Sequence, residues 1–286
     1  MKVSTRVFAV VALLALAASA PALAQSTPPQ NPPAKAPPTQ PGTPAATPAD
    51  QPAAPPVNAE EEAAYKAFFD AKDHTLKVKL GEEFQQKYPG SRYRELVFVT
   101  MSNSYQSLGQ EDKMLAASEK AIELNPDSVP ALVTLTKALA RRTNPQALDA
   151  QQKFDKAEQY GKHVLELIAA LPKPENVTEE NFAKIKNNAL ADVHGGLGLI
   201  YLRKQRIPES ISELEEATKI TDTPDPVDYY LLGFVLQVTK HYEESAAAFG
   251  SCAAIASQMQ ETCKQGQAES KKQAAAKPAT PALPKP

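Results

Sequence analysis

The feature that most constrains this chain is an internal repeat in its C-terminal third. Residues 194–220 and 229–255 carry the same kinds of side chain at positions 35 residues apart. The equivalent positions are Leu197 and Leu232, Gly198 and Gly233, Tyr201 and Leu236, Ser210 and Ser245, Leu214 and Phe249, and Ala217 and Cys252. A fixed period of this length is typical of stacked repeating units and argues against a bundle packed around a single centre.

The chain around this repeat also has a helical pattern. Between residues 58 and 275, apolar side chains recur at intervals of three and four, and Gly and Pro fall at the edges of the periodic stretches. No strand candidate is longer than a few residues. The pattern predicts helices at residues 59–72, 75–88, 91–108, 110–124, 128–142, 148–171, 179–205, 208–221, 226–239, 241–256 and 258–274.

The repeated positions resemble those of the tetratricopeptide repeat, which has a large residue, a Leu-Gly pair, aromatic or aliphatic positions, an Ala and a closing Pro. Weaker copies begin at Glu95 and near Val129, and a degenerate one precedes them, so the resemblance covers residues 59–257. It implies an all-α, TPR-like solenoid of about five helix pairs plus a C-terminal capping helix, flanked by disordered segments. The residues expected to pack the repeats are Leu197, Gly198, Tyr201, Ala217, Leu232, Gly233 and Phe249.

The two ends of the chain differ in composition from the middle. Residues 1–24 have a basic start, a short apolar run and an Ala-Leu-Ala ending, which predicts a secretory signal peptide cleaved near Ala24. An uncleaved membrane anchor is the alternative. Residues 25–57 and 276–286, rich in Pro and Ala, are predicted to be a disordered linker and tail around a repeat domain at 58–275. The expected location is therefore periplasmic or secreted.

The chain has two cysteines, Cys252 and Cys263. On one continuous helix their Cα atoms would lie about 16 Å apart, too far for a disulfide. A turn between residues 256 and 259 would bring them together. In an oxidising compartment we expect a disulfide that attaches a capping helix to the last repeat, with two separate thiols as the alternative.

The titratable residues offer no recognisable active site. The four His have no metal-binding spacing, and no CxxC pair accompanies them. The segment from His194 to Gly196 resembles an esterase oxyanion loop, but no GxSxG motif is present and helix packing explains it better. We therefore predict no catalytic residue, metal or cofactor. Because the net charge is −2 and no aromatic residues are interleaved with the basic pairs, we predict no nucleic-acid binding either.

The resemblance implies a function in partner binding, because in this family the first helices of each pair line a concave groove for a peptide or a partner's helix. Tyr230 and Phe234, one helical turn apart, are the candidate exposed aromatic pair; the alternative is that they pack against a neighbouring helix. We expect a non-catalytic envelope scaffold that reaches a membrane only through its partner. The alternatives are an enzyme or accessory subunit with an unrecognised active site, and self-assembly through the groove. The groove candidates are Asn103, Gln106, Lys137, Arg141, Arg203, Tyr230 and Phe234.

Overall fold

The computed structural model describes residues 58–276, and this part of the chain contains eleven α-helices and no strand. The helices are α1 (Ala59–Asp70), α2 (His74–Lys87), α3 (Arg94–Ser107), α4 (Glu111–Leu124), α5 (Val129–Arg142), α6 (Ala150–Ala170), α7 (Glu179–Arg203), α8 (Ile207–Lys219), α9 (Pro226–Val238), α10 (Tyr242–Ala254) and α11 (Gln260–Ala276). Each predicted helix agrees with these bounds to within three residues at both ends. The all-α prediction is therefore confirmed.

Three of the sequence predictions concern residues that the structure does not describe. The signal peptide at 1–24 and the linker at 25–57 lie outside the described residues. The predicted tail at 276–286 also lies outside them, except for Ala276, which is the last residue of α11. Among the described helices, none combines the length and the apolar character needed to cross a membrane.

Several helices begin where a side chain satisfies their free backbone N–H groups. Asn58 accepts hydrogen bonds from the N–H groups of the first turn of α1, and Asp73, Thr178 and Asp225 do the same for α2, α7 and α9. Pro lies in the first turn of α5, α8 and α9, where its missing N–H costs no helical hydrogen bond. These caps and prolines fix where six of the eleven described helices begin.

Three repeats share the same turn between their two helices. The second residue after the first helix has a positive φ in each case: 69° at Gly109, 59° at Gln205 and 66° at Lys240. The next residue then donates its N–H to a carbonyl five positions earlier, which closes the end of the helix. Gln205 and Lys240 are 35 positions apart, so the turn has the same period as the sequence repeat.

The pairs α1/α2, α3/α4, α5/α6, α7/α8 and α9/α10 stack in order, and α11 packs on the last of them. The backbones of successive first helices approach closely, α3 to α5, α5 to α7 and α7 to α9, whereas among the described residues those of the successive second helices α4, α6, α8 and α10 do not. Helices α4 and α6 meet through side chains, as at the 3.8 Å pair of Glu119 and Lys156. Because the first helices are closer together than the second helices, the array curves toward them. Their open side is therefore the concave face.

The two strong repeats pack through their Leu-Gly pairs in the same way. A Cβ atom on Gly198 would lie 2.6 Å from Cγ of Leu214, and one on Gly233 would lie 2.8 Å from the Phe249 ring. Large residues therefore cover the bare glycine faces directly. A serine of the second helix also donates to each glycine carbonyl: Ser210 to Gly198 at 2.8 Å and Ser245 to Gly233 at 2.7 Å. The remaining predicted packing residues are all buried: Leu197, Tyr201, Ala217 and Leu232.

Helix α11 closes the C-terminal end of the array. Cys252 of α10 and Cys263 of α11 form a disulfide with their Cα atoms 5.8 Å apart. The backbone of Gly266 lies against Phe249, whose ring is thus held between the glycines of α9 and α11. Ser270 and Ser245 share a buried hydrogen bond of 2.9 Å. The disulfide therefore adds a covalent link to a packed interface.

Candidate partner-binding groove

The concave groove is the face formed by α3, α5, α7 and α9. The structure places the predicted groove residues at different depths. Gln106, Arg141, Arg203 and Phe234 are exposed or partly exposed, Lys137 and Tyr230 are half-buried, and Asn103 is buried.

Asn103 does not present its side chain to the groove surface. It is 5% exposed, on the helix that α5 packs against, and its Nδ2 atom has no hydrogen-bond partner among the described residues. The helical periodicity of α3 predicted the side of the helix on which Asn103 lies. It did not predict that the next helix pair would cover this side chain. As a surface contact for a partner, Asn103 is therefore replaced by its exposed neighbour Gln106.

The exposed apolar stripe on α9 differs from the predicted one. The Tyr230 ring packs edge-on against the Phe249 ring with centroids 5.8 Å apart, which corresponds to the alternative of helix packing. Phe234 is 40% exposed, and Val238, one turn further on, is 54% exposed. Because α9 packs on α7, α8, α10 and α11, its open side faces the groove. The stripe therefore consists of Phe234 and Val238.

A charged cluster lies at the start of α9 and links three first helices. The Lys137 Nζ atom of α5 lies 2.5 Å from Asp192 of α7 and 4.0 Å from Asp225, the residue that caps α9. The Arg141 guanidinium, also on α5, lies 3.2 Å from the same Asp225 carboxylate. Two of the three predicted cations of the groove, Lys137 and Arg141, are therefore already paired with carboxylates of the chain itself. The third, Arg203 near the end of α7, is exposed and has no ion pair among the described residues.

Two adjacent glycines of α7 allow this link to form. A Cβ on Gly196 would lie 3.0 Å from the Thr136 methyl group of α5, and a Cβ on Gly195 would lie 2.5 Å from a carboxylate oxygen of Asp228 on α9. Larger residues would hold α5 and α9 away from α7. The glycines therefore let side chains of α5 reach the start of α9 across the helix between them.

Asp228 is the most deeply buried acid of the cluster. Only 4% of it is exposed, and among the described residues its carboxylate has neither a hydrogen bond nor an ion pair. Burial is the main cause that raises the pKa of Asp228 to about 7. The attraction of Lys137 opposes this rise, and the repulsion by the neighbouring Asp225 adds to it. Burial also acts to raise the pKa of Asp225, but the attraction of Lys137 and a hydrogen bond from a backbone N–H outweigh it and hold this pKa below its ordinary value.

Sequence reasoning found the two cations of this cluster and missed its three carboxylates. Asp225 precedes Pro226 and has the position of a helix cap, a role that it does fill. Asp192 and Asp228 are single acids on α7 and α9, two helices whose pattern indicates mainly packing residues, so neither acid stands out in the sequence. The available signal was the Gly195-Gly196 pair in the middle of a helix, which marks a close approach of neighbouring elements.

The described residues contain no group of three or more His, Cys, Asp or Glu side chains placed to hold a metal ion. The His194 Nδ1 atom lies 2.6 Å from Glu213 of α8, so His194 belongs to the interface between α7 and α8. His194, Gly195 and Gly196 are all part of a continuous helix. The resemblance of these residues to an oxyanion loop therefore has no counterpart in the structure.

Comparison with known proteins agrees with this architecture. Residues 97–128, which span most of α3, α4 and the turn after it, match the family model described as tetratricopeptide repeat. No curated protein matches the chain.

The chain is also similar, at low sequence identity, to several solved structures. TTC0263, a TPR protein of Thermus thermophilus, is 13% identical, with 74% of this chain and 99% of that chain covered and a TM-score of 0.48. PilW, a type IV pilus biogenesis factor, is 12% identical, with 79% and 97% covered and a TM-score of 0.49. Yeast Tom70 is 13% identical, with 76% and 39% covered and a TM-score of 0.47. By its matched segment and its helix pairs, the described part of this chain is a tetratricopeptide-like solenoid.

Proposed function

We propose that this chain is a non-catalytic scaffold that binds a peptide or a helix of a partner protein in its concave groove. The observation that carries the proposal is the exposed stripe of Phe234 and Val238 on the open side of α9. Two large apolar side chains one turn apart, on a face that none of the eleven described helices covers, are typical of a contact for an apolar guest residue. The paired charges at the start of α9 supply a polar rim.

A selection of random peptides displayed on phage tests this proposal. The bait is the chain that begins at residue 25, and each enriched peptide is synthesised and its Kd is measured by fluorescence anisotropy. We expect Phe234→Ala to weaken binding of the enriched peptides about tenfold or more, because contacts of this kind are concentrated in a few aromatic residues. The matched control is Leu124→Ala at the end of α4, a second helix, because Leu124 is 43% exposed against 40% for Phe234.

The two variants separate the possible outcomes. If Leu124→Ala weakens binding as much as Phe234→Ala, or if neither does, the peptides bind outside the groove and the proposal is wrong. Circular dichroism of each variant shows whether the helices are retained.

We also propose that the chain acts outside the cytoplasm, in the periplasm or as a secreted protein, and meets membranes only through its partner. The support is the sequence of residues 1–24 together with the disulfide between Cys252 and Cys263, a bond that persists in oxidising compartments. Fractionation of the producing cells followed by N-terminal sequencing tests the location. A mature chain that starts at Gln25 in the periplasmic or secreted fraction is expected, and an intact N-terminus in the cytoplasm would contradict it.

A further inference from the structure

The charged cluster of the groove contains more carboxylates than cations. The cations around Asp192, Asp225 and Asp228 are Lys137 and Arg141; Lys137 is within ion-pairing distance of Asp192 and Asp225, and Arg141 is within that distance of Asp225. Asp228 is left with no ion pair and no hydrogen bond among the described residues, although it is 4% exposed. The cluster therefore has one negative charge in excess at a buried position.

A buried carboxylate without partners is unstable as an anion, because it has lost its hydration and gained nothing in exchange. Two events can compensate the charge of Asp228: the uptake of a proton, or the arrival of another cation. Burial of Asp228 and its raised pKa indicate that a proton is bound in the empty groove at slightly acidic pH. A cation that arrives from a partner would take over this role at higher pH.

The same inventory of charges disfavours an acidic guest. A guest carboxylate needs a free cation, but beside Asp228 the Lys137 ammonium already lies 2.5 Å from Asp192 and the Arg141 guanidinium lies 3.2 Å from Asp225. The exposed Arg203 is eleven positions from Asp192 on α7, or about 16 Å along the helix. An added anion would compete with these acids and would be repelled by the excess charge. The electrostatics of this part of the groove thus favour a guest with a positive charge.

On the basis of the proposed function, we propose that the groove selects a Lys or Arg side chain of an extended partner segment, held beside Asp192, Asp225 and Asp228. An apolar residue of the same segment lies on Phe234 and Val238. Asp228 and Phe234 are six positions apart on α9, or about 9 Å along its axis. Their side chains point about 120° apart around the helix, so a guest that contacts both must cross α9 as well as run along it. Extended chain rises about 3.3 Å per residue, so the apolar and basic residues of the guest are at least three positions apart.

Binding of this kind is linked to pH. The groups around Asp228 are Lys137 and Arg141 on α5, Asp192 on α7 and Asp225 at the start of α9. A guest cation stabilises the ionised form of Asp228, so a protonated Asp228 must release its proton when the guest binds. The affinity for a basic peptide therefore rises between pH 6 and pH 8, and an Asp228→Asn variant, which has no proton to release there, loses this dependence.

The peptide selection described above, repeated with variants of the cluster, tests the proposal. Wild-type bait is expected to enrich peptides with Lys or Arg at least three positions from Leu, Phe, Ile or Val. For one such peptide, replacement of the basic residue by Gln is expected to raise the Kd about tenfold on the wild type and less than twofold on Asp228→Asn. The matched control is Asp149→Asn, an exposed acid at the start of α6 on the second-helix side, which should leave the Kd unchanged.

Failure of this inference can be distinguished from failure of the proposed function. Peptides that depend on Phe234 but show no enrichment of Lys or Arg, or that are enriched in Asp and Glu, overturn the basic-guest inference and leave the scaffold proposal in place. An equal Gln effect on the wild type and on Asp228→Asn also overturns it. A selection in which no peptide rises above background, or in which every peptide is indifferent to Phe234→Ala, contradicts both proposals.

Discussion

Two charged clusters of this molecule contain buried carboxylates and have opposite balances of charge. In the cluster on the second-helix side, Glu158 of α6 lies 2.6 Å from Lys204, 2.7 Å from Lys162 and 3.0 Å from Arg206. Burial opposes the charge of Glu158, but hydrogen bonds from Lys162 and Lys204 outweigh it and lower the pKa of this carboxyl to about 2. In the groove, by contrast, Asp228 has no such bonds and its pKa is raised to about 7.

The difference shows what burial of an acid does in each setting. Where cations converge on the carboxylate, the ionised form is part of the packed structure, and the cluster ties α6 to the turn between α7 and α8. Where cations are too few, burial makes the ionised form costly, and an acid of this kind persists in a protein at the expense of stability. Such acids are concentrated at functional sites, which agrees with the position of Asp228 in the groove.

The largest expected effect is the loss of the well-compensated carboxylate. Glu158→Gln removes the buried carboxylate shared by Lys162, Lys204 and Arg206 and leaves Lys204 with Asp155 alone, so the free energy of unfolding should fall by about 3 kcal/mol. Urea denaturation at pH 7 measures this change. Glu209→Gln is the control, because Glu209 contacts only Arg206 of the same cluster and is far more exposed. Equal losses in the two variants would remove the distinction between the clusters on which this comparison depends.

Replacement of the uncompensated carboxylate should have the opposite sign. The pKa of Asp228 is raised on folding, so its contribution to stability is complete below about pH 4 and is lost as the pH rises through about 7. Asp228→Asn should therefore be more stable than the wild type by about 2 kcal/mol at pH 8, and the difference should vanish near pH 4. Urea denaturation at both pH values decides the question. A variant that is less stable than the wild type at pH 8 would show that the ionised carboxylate is stabilising.

A methyl group added at the contact between α7 and α9 tests the geometry of the groove cluster. In Gly195→Ala the new Cβ would lie 2.5 Å from a carboxylate oxygen of Asp228, so either the Asp228 carboxylate or the two helices must shift. We expect thermal unfolding to show a loss of about 1–3 kcal/mol. Gly90→Ala is the matched control, because a Cβ on Gly90 meets nothing within 4 Å and should cost little. A neutral Gly195→Ala would mean that the close approach of α7 and α9 is not required.

The smallest effects are expected for the cations at the edge of each cluster. Arg141→Gln removes one of two cations from the groove, whereas Arg206→Gln removes one of three from around Glu158. Exposed pairs contribute little, so both losses of stability should be small. Only the loss caused by Arg141→Gln should grow between pH 5 and pH 8, as Asp228 ionises. Parallel losses across this range would indicate that Arg141 does not interact with Asp228.

Much of the architecture could be predicted from the sequence, because helix periodicity and repeat spacing are local signals. The turns were less predictable. Gln205 and Lys240 have positive φ without the Gly or Asn that normally marks it, and only their equivalence to Gly109 reveals the shared turn. Periodicity predicted which side of each first helix faces the groove, but not how deeply each side chain is buried. Asn103 and Tyr230 were therefore predicted as groove candidates, although neighbouring helices cover them. The Asp228 site depends on three helices brought together by Gly195 and Gly196. Such a contact between distant segments cannot be read from the sequence of any one of them.

The measurement that tests the central claim most directly is hydrogen exchange of the chain with and without a selected peptide. If the concave face is the binding surface, the peptide should slow exchange in residues 133–142 of α5, 190–203 of α7 and 228–238 of α9. Exchange in the second helices α4, α6 and α8 should be unchanged. Protection confined to those second helices, or to α11, would contradict the account and place the binding surface elsewhere.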